Sequence, residues 1–267
     1  MRREFDSVYV VKHANTALLT LNHPEVMNAA SEKMINGVSA ALDFVADPQN
    51  GFRVLVVTGE GRAFCSGANL ADGPAGGASD IPASIGRRLD NLYHPLLRKL
   101  RDLPLPIITA VNGAAAGIGM SFALMGDLVL AARSAYFLQA FARIGLVPDG
   151  GSTWLLPRLI GLARARELSL LAEKLPAEKA LDWGLINRVY DDTALIDEAL
   201  KMAEKLAQGP TVALAIMRRM YWESPNNTYE EQLEVERHSQ QRAGGTEDFM
   251  EGVGAFLQKR PPAFKGK

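Results

Sequence analysis

From Leu103 to Gly126 the chain reads LPLPIITAVNGAAAGIGMSFALMG, a stretch without a charged side chain. It is long enough to cross a bilayer, so any fold of this chain has to hide it. Pro104, Pro106, the Asn112-Gly113 pair, Gly117 and Gly119 would break a lone helix in lipid. The same residues punctuate a buried strand (PIITAV), a turn (NGAAAGIG) and a helix (MSFALMG). A strand, DLVLAA, follows. Upstream, SVYVVK and TALLTL read as strands joined by HAN, and Met34, Val38, Ala41 and Val45 recur at helical spacing before a strand, RVLVVTG. Strands that are apolar on both faces and alternate with helices argue for α/β layering.

The segment GRAFCSGANLADGPAGGASDIPAS is long for a loop, which makes it mobile or functional, and RRLDNLYHPLLRKLRDLP reads as the next helix. After Asp191 the pattern changes to helices alone, ending in a basic tail, KRPPAFKGK. We therefore expect a core over residues 1–195 and a helical region over 196–267. A chain of 267 residues with 48% hydrophobic and 22% charged side chains accommodates both. The net charge of −1 leaves no electrostatic footprint for nucleic acid or an anionic membrane. A single cysteine, Cys65, excludes an internal disulfide and a cysteine-based zinc site, and suits a reducing compartment, by default the cytosol. No metal-like spacing links the histidines. The N-terminus lacks the apolar run of a signal peptide.

Two features carry chemistry. Glycine-rich turns in FCSGANL and AAAGIGMSF each follow a strand, and such turns can aim unpaired N–H groups at one spot, as an oxyanion hole does; close strand-to-helix packing is the alternative. A dinucleotide loop is excluded, because its third glycine falls on Phe122. The second feature is Asp149 in ARIGLVPDGGSTWLL. Helix capping is the simplest explanation for an aspartate there, with Gly150, Gly151 and Ser152 beside it. A carboxylate among apolar residues is also a candidate proton carrier. Apolar neighbours would raise its pKa and first-turn amides would lower it, so the net direction is open.

Taken together, GRAFCSGANL, the run from Ala110 to Gly161, AEKALDWGLINRVY and the ending FLQKRPPAFKGK resemble the crotonase, or enoyl-CoA hydratase/isomerase, superfamily over essentially the whole chain. Around Asp149 the sequence is most similar to the 1,2-epoxyphenylacetyl-CoA isomerases of bacterial phenylacetate degradation. The resemblance implies an α/β fold, a spiral of ββα units with a C-terminal helical region that forms trimers or dimers of trimers. It implies an acyl-CoA substrate, with coenzyme A belonging to the substrate and no separate cofactor. The backbone N–H groups of Ala68 and Ile118 would grip the thioester oxygen, and Asp149 would be the catalytic acid/base.

Hydratases of this family use two glutamates where this chain has Ser121 and Phe141, so the resemblance favours an isomerase over a hydratase. A dehalogenase-type hydrolase is the other alternative, with His94 as base beside Asp149. The implied substrate contacts further include Val26 and Ala29 at the adenosine, Arg62 and Lys265 near the phosphates, and Ser66, Asn69, Leu70, Gly117 and Pro148. Lys265 would reach a neighbouring subunit's ligand. A non-catalytic acyl-CoA- or RNA-binding scaffold is a third reading, against which the neutral charge counts.

Overall fold

The computed structural model of the protein describes residues 2–69 and 80–267. Its spine is a seven-stranded sheet. A meander of β1 (Arg2–Phe5), β2 (Val8–His13) and β3 (Thr16–Leu21) leads through α1 (Glu32–Ala46) into β4 (Val54–Gly59). Next along the chain come β5 (Ala63–Cys65), α2 (Ile81–Arg88), α3 (His94–Asp102), β6 (Ile107–Val111), β7 (Ala114–Ala116), α4 (Ile118–Ala123) and β8 (Leu128–Ala132). Then follow β9 (Tyr136–Leu138), α5 (Ser152–Leu171), β10 (Leu175–Pro176), α6 (Ala177–Asp182) and β11 (Arg188–Tyr190). The large sheet has the order β1-β2-β3-β4-β6-β8-β11, antiparallel at the meander and parallel from β3 onward. Crossover helices make that parallel pairing possible.

Stacked with it is a small sheet of order β10-β9-β7-β5, in which β5, β7 and β9 run parallel. β5 and β7 fall in segments that the sequence presents as a loop and a turn, because three residues are too few to show a period. The charge-free stretch thus forms β6, β7 and α4, and most of its side chains are sealed in one apolar cluster with Leu19, Leu42, Leu55 and Phe64. Among the described residues no helix is long and apolar enough to cross a membrane, and no group of three His, Cys, Asp or Glu side chains could hold a metal ion.

The helix expected from Arg87 begins earlier, at Ile81, where the Asp80 carboxylate accepts from the Ala83 N–H at 3.2 Å. Between α2 and α3 the chain makes a π-helical turn, Leu89–Tyr93. The C-terminal helices are α7 (Leu195–Ala207), α8 (Thr211–Glu223), α9 (Tyr229–Gly244) and α10 (Glu247–Leu257). Leu195, Ala199, Ala203 and Ala207 of α7 join the core cluster, so the region expected to start at residue 196 opens with a helix that packs on β4 and β6. Trp154 of α5 stacks on Trp222 of α8, with ring centroids 5.6 Å apart and planes 12° from parallel.

Arg218 of α8 is the polar anchor of that docking. Its side chain is 4% exposed. The guanidinium donates to Asp127 Oδ2 at 2.7 Å, to the Leu103 carbonyl at 2.9 Å and to the Leu100 carbonyl at 2.7 Å, which satisfies the end of α3. Asp127 in turn accepts from the Ile107 N–H at 2.7 Å. Removing the arginine would strand a carboxylate and three carbonyls, those of Leu100, Arg101 and Leu103. Arg218→Ala is expected to lose about 3 kcal/mol of stability, read as a lowered urea midpoint, whereas Arg219→Ala, on the exposed face of the same helix, should change it little.

Candidate active site

The two glycine turns lie side by side because the strands before them are paired. β5 and β7 run parallel, with Ala63 opposite Ala114 and Cys65 opposite Ala115. Gly67 follows β5 at φ 109° and Gly117 follows β7 at φ 53°, both in the half of backbone space that side chains disfavour. Contact is close: a Cβ on Gly67 would lie 3.1 Å from the Ala116 carbonyl oxygen, and one on Gly117 would lie 3.8 Å from Gly67 Cα. Beyond the carboxyl ends of parallel strands is where open α/β sheets place their ligands. Ala68 comes next on one side and Ile118, the first residue of α4, on the other. Neither N–H bonds to another described residue. β9, paired parallel with β7, delivers Phe141 to the same rim, its Cζ 3.7 Å from where a Gly117 Cβ would be.

Asp149 reaches the rim through Gly150. A Cβ on Gly150 would be 2.4 Å from Ile118 Cδ1 and 2.8 Å from Ser121 Oγ, so the chain can pass here only as glycine, at φ 61°. The Asp149 carbonyl is held by three donors: the Ser121 hydroxyl at 3.2 Å, the Ser152 hydroxyl at 2.7 Å and the Ser152 N–H at 3.1 Å. Its carboxyl is left alone. Oδ1 is buried without a hydrogen-bond partner among the described residues. Helix α5 has Gly151 at its N-cap and no side-chain cap bond. The capping role expected for the Asp149 side chain is therefore absent, because the backbone of Asp149 does that work instead. The question of its pKa resolves upward: burial lifts the carboxyl from 3.8 to about 6, with no opposing amide.

The other expected contacts divide into those gathered at the rim and those elsewhere. Ser66 donates through its N–H to the Met27 carbonyl at 3.0 Å and through its hydroxyl to the Val26 carbonyl at 3.2 Å. These bonds lay the turn of Val26 and Ala29 along the strand end. Asn69 and Pro148 are half-buried beside Ala68 and Asp149 in sequence, and Ser121 is fully buried. Leu70 lies outside the described residues, as do residues 71–79 of the long loop. Arg62 is exposed just before β5. Lys265 is on the tail, which is tied away from the rim: Asp248 accepts from the Lys265 N–H at 2.6 Å and the Gly266 N–H at 2.8 Å, and Arg53, just before β4, donates to the Phe264 carbonyl at 3.1 Å. His94 pairs with Asp90 on its own helical turn, Nδ1 to Oδ1 at 3.4 Å. Of the apolar neighbours expected around Asp149, Phe141 is buried but Val147 is 78% exposed.

One residue at this rim has no role in the sequence reading beyond its place in the helix RRLDNLYHPLLRKLRDLP. Tyr93 is 3% exposed, and its phenol donates to the Ala30 carbonyl at 2.9 Å. Only the π-helical turn that ends on it marks the position, and such turns have no sequence signal.

Comparison with known proteins identifies the family and the fold. The family profile described as enoyl-CoA hydratase/isomerase matches residues 12–267. The 1,2-epoxyphenylacetyl-CoA isomerase of Escherichia coli is 44% identical over 264 residues, covering 97% of this chain and 99% of that protein. A protein of Rhodobacter capsulatus named probable enoyl-CoA hydratase is 45% identical over 251 residues, covering 94% and 95%. A crystal structure of an enoyl-CoA hydratase/isomerase from Cupriavidus metallidurans superposes with a TM-score of 0.91 at 32% identity, covering 99% of this chain and 98% of the other. The chain belongs to the enoyl-CoA hydratase/isomerase family.

Proposed function

We propose that this enzyme is an acyl-CoA isomerase that moves a double bond, or opens a ring epoxide, through a thioester enolate. The observation that carries this reading is the half-buried carboxyl of Asp149, its Oδ1 buried and, among the described residues, without a partner, set beside two glycine turns whose following amides bond to no other described residue. In a double-bond shift, the Asp149 carboxylate takes the proton on the carbon next to the thioester of a 3-enoyl-CoA. The electron pair moves onto the carbonyl oxygen, where the N–H groups of Ala68 and Ile118 receive the charge. Two such donors are worth about 3 kcal/mol each when preorganised. The carboxylic acid then returns the proton at the far end of the dienolate, giving a 2-enoyl-CoA and restoring the base. The whole shift needs one acid/base group and the two amides.

A hydratase is the second reading, favoured by the Rhodobacter relative's name. Hydration needs groups to activate water and deliver a proton. The Ser121 hydroxyl is committed to the Asp149 carbonyl, and Phe141 offers no acid. A dehalogenase-type hydrolysis would require His94, which faces Asp90. The similarity to the Escherichia coli enzyme supports an epoxyphenylacetyl-CoA substrate within phenylacetate breakdown. We further propose assembly as trimers or pairs of trimers through the C-terminal helices, where Tyr221, Phe249, Met250, Phe256 and Leu257 are exposed. Lys265, exposed on its tail, would there meet a neighbour's coenzyme A, and the cytosol suits the buried free thiol of Cys65.

Asp149→Asn should lower isomerase kcat by about a thousandfold while acyl-CoA affinity, measured by calorimetry, stays within a few-fold. Near wild-type turnover on a panel of 3-enoyl, 2-enoyl and phenylacetyl-epoxide thioesters would refute the role.

Because the base acts ionised, wild-type kcat/KM should fall as pH drops through about 6, with a slope of one. Stability runs the other way. Between pH 3.8 and about 6 the folded protein keeps a proton that the unfolded chain has released, so stability declines as pH rises through that window. Above it the charge costs the fold about 1–2 kcal/mol after allowance for partial solvent access. Thermal melts should therefore show Asp149→Asn more stable than wild type in alkaline buffer, with the difference vanishing below the window.

His94→Ala separates the remaining alternatives: isomerase turnover should change less than about threefold, whereas a histidine-dependent hydrolysis would disappear in a halide-release assay.

A further inference from the structure

We infer that Tyr93 is a positioning residue for the reaction: its phenol, through Ala30, sets the direction of the Ala68 N–H. The inference rests on the oxyanion-hole reading of Ala68. Three links connect the two residues. The Tyr93 hydroxyl donates to the Ala30 carbonyl at 2.9 Å. The Ala30 N–H donates to the Gly67 carbonyl at 2.7 Å. Ala30 and Ala68 form a parallel bridge outside any named strand. The carbonyl of Gly67 and the N–H of Ala68 belong to one planar peptide, so whatever holds the first aims the second in the opposite direction.

That peptide needs outside support. β5 ends at Cys65, and Gly67, at φ 109°, is free of the side-chain restraint that would otherwise narrow its backbone. Its partner Ala30 sits between a 3₁₀ turn, Pro24–Val26, and the start of α1. An isolated bridge joins the two, just beyond the bonds from Ser66 to the Met27 and Val26 carbonyls. The phenol is a side-chain donor that fastens this bridge from behind.

Tyr93 gets there by an irregularity. It closes the π-helical turn Leu89–Tyr93, which inserts a residue into an otherwise continuous helix from Ile81 to Asp102. Such an insertion widens the helix at some cost in stability and re-aims the side chains beyond it, which is why it recurs at functional places. Burial keeps the phenol protonated well past neutrality, as a donor should be, and the Asp149 charge pushes the same way while Arg88 opposes it.

The test uses Tyr93→Phe, which removes one oxygen and keeps the ring. The probe is a dimethylaminocinnamoyl-CoA thioester, whose absorption band moves to the red as its carbonyl is polarised. Wild type and Asp149→Asn should both shift the band. In Tyr93→Phe the shift should shrink, and isomerase kcat should fall about tenfold with KM little changed. Replacing Tyr93 with ring-fluorinated tyrosines keeps the donor and makes it more acidic, so the band should stay shifted and move further red with phenol acidity. A purely structural tyrosine would not produce that gradient. A full red shift in Tyr93→Phe, or no dependence on fluorination, overturns the inference and leaves the oxyanion reading standing. An unshifted band in wild type with the probe bound would sink both.

Discussion

The parallel pairing of β5 with β7 is the constraint that creates the site. Two strands of three residues run side by side, and a register shift between Ala63 and Cys65 sets Cys65 opposite Ala115 near their ends. Each is followed by a glycine in backbone space that other residues resist, so both chains turn sharply and leave the next amide outside the ladder. β9 adds Phe141 to the rim, and the bulk of Ile118 and Ser121 forces glycine at position 150, which brings Asp149 alongside. A small, buried sheet thus fixes the positions of groups drawn from four separate parts of the chain. It can do so because the large sheet and its helices hold it rigidly from outside.

The polar groups of the rim are treated unequally. Some backbone groups are satisfied: the Asp149 carbonyl has three donors and the Ala30 N–H has the Gly67 carbonyl, whereas the Ala68 and Ile118 N–H groups have no partner among the described residues. Oδ1 of the Asp149 carboxyl likewise has none, although an unpaired buried oxygen normally costs a fold stability. A protein selected for stability alone would put an apolar side chain there or give the acid a partner. Leaving it single raises its basicity, which is what the proposed isomerisation asks of its base and what pairing with a cation would remove.

Much of this was legible in the residues. Buried strands such as Ile107–Val111 announced themselves by continuous apolar character, and α1 by the spacing of Met34, Val38, Ala41 and Val45. The glycine turns around Gly67 and Gly117 and the lone acid at Asp149 were visible as local chemistry. The hidden parts depend on tertiary pairing. Ala63–Cys65, Ala114–Ala116 and Tyr136–Leu138 are too short to carry a pattern, and they are strands only because they lie beside one another. The helix cap expected of Asp149 failed for a related reason: whether a side chain or a carbonyl meets the first turn depends on the path imposed by Gly150 and Gly151. Tyr93 was hidden because a π turn is set by packing rather than by composition.

The stacked indoles of Trp154 and Trp222 tie the first turn of α5, only a few residues beyond the acid, to the helix that Arg218 docks. Any rearrangement of the C-terminal helices, whether on association with another copy or on taking up substrate, would slide one ring over the other. Two overlapping transition dipoles are sensitive to such sliding, so the protein carries its own optical strain gauge between its periphery and its chemistry.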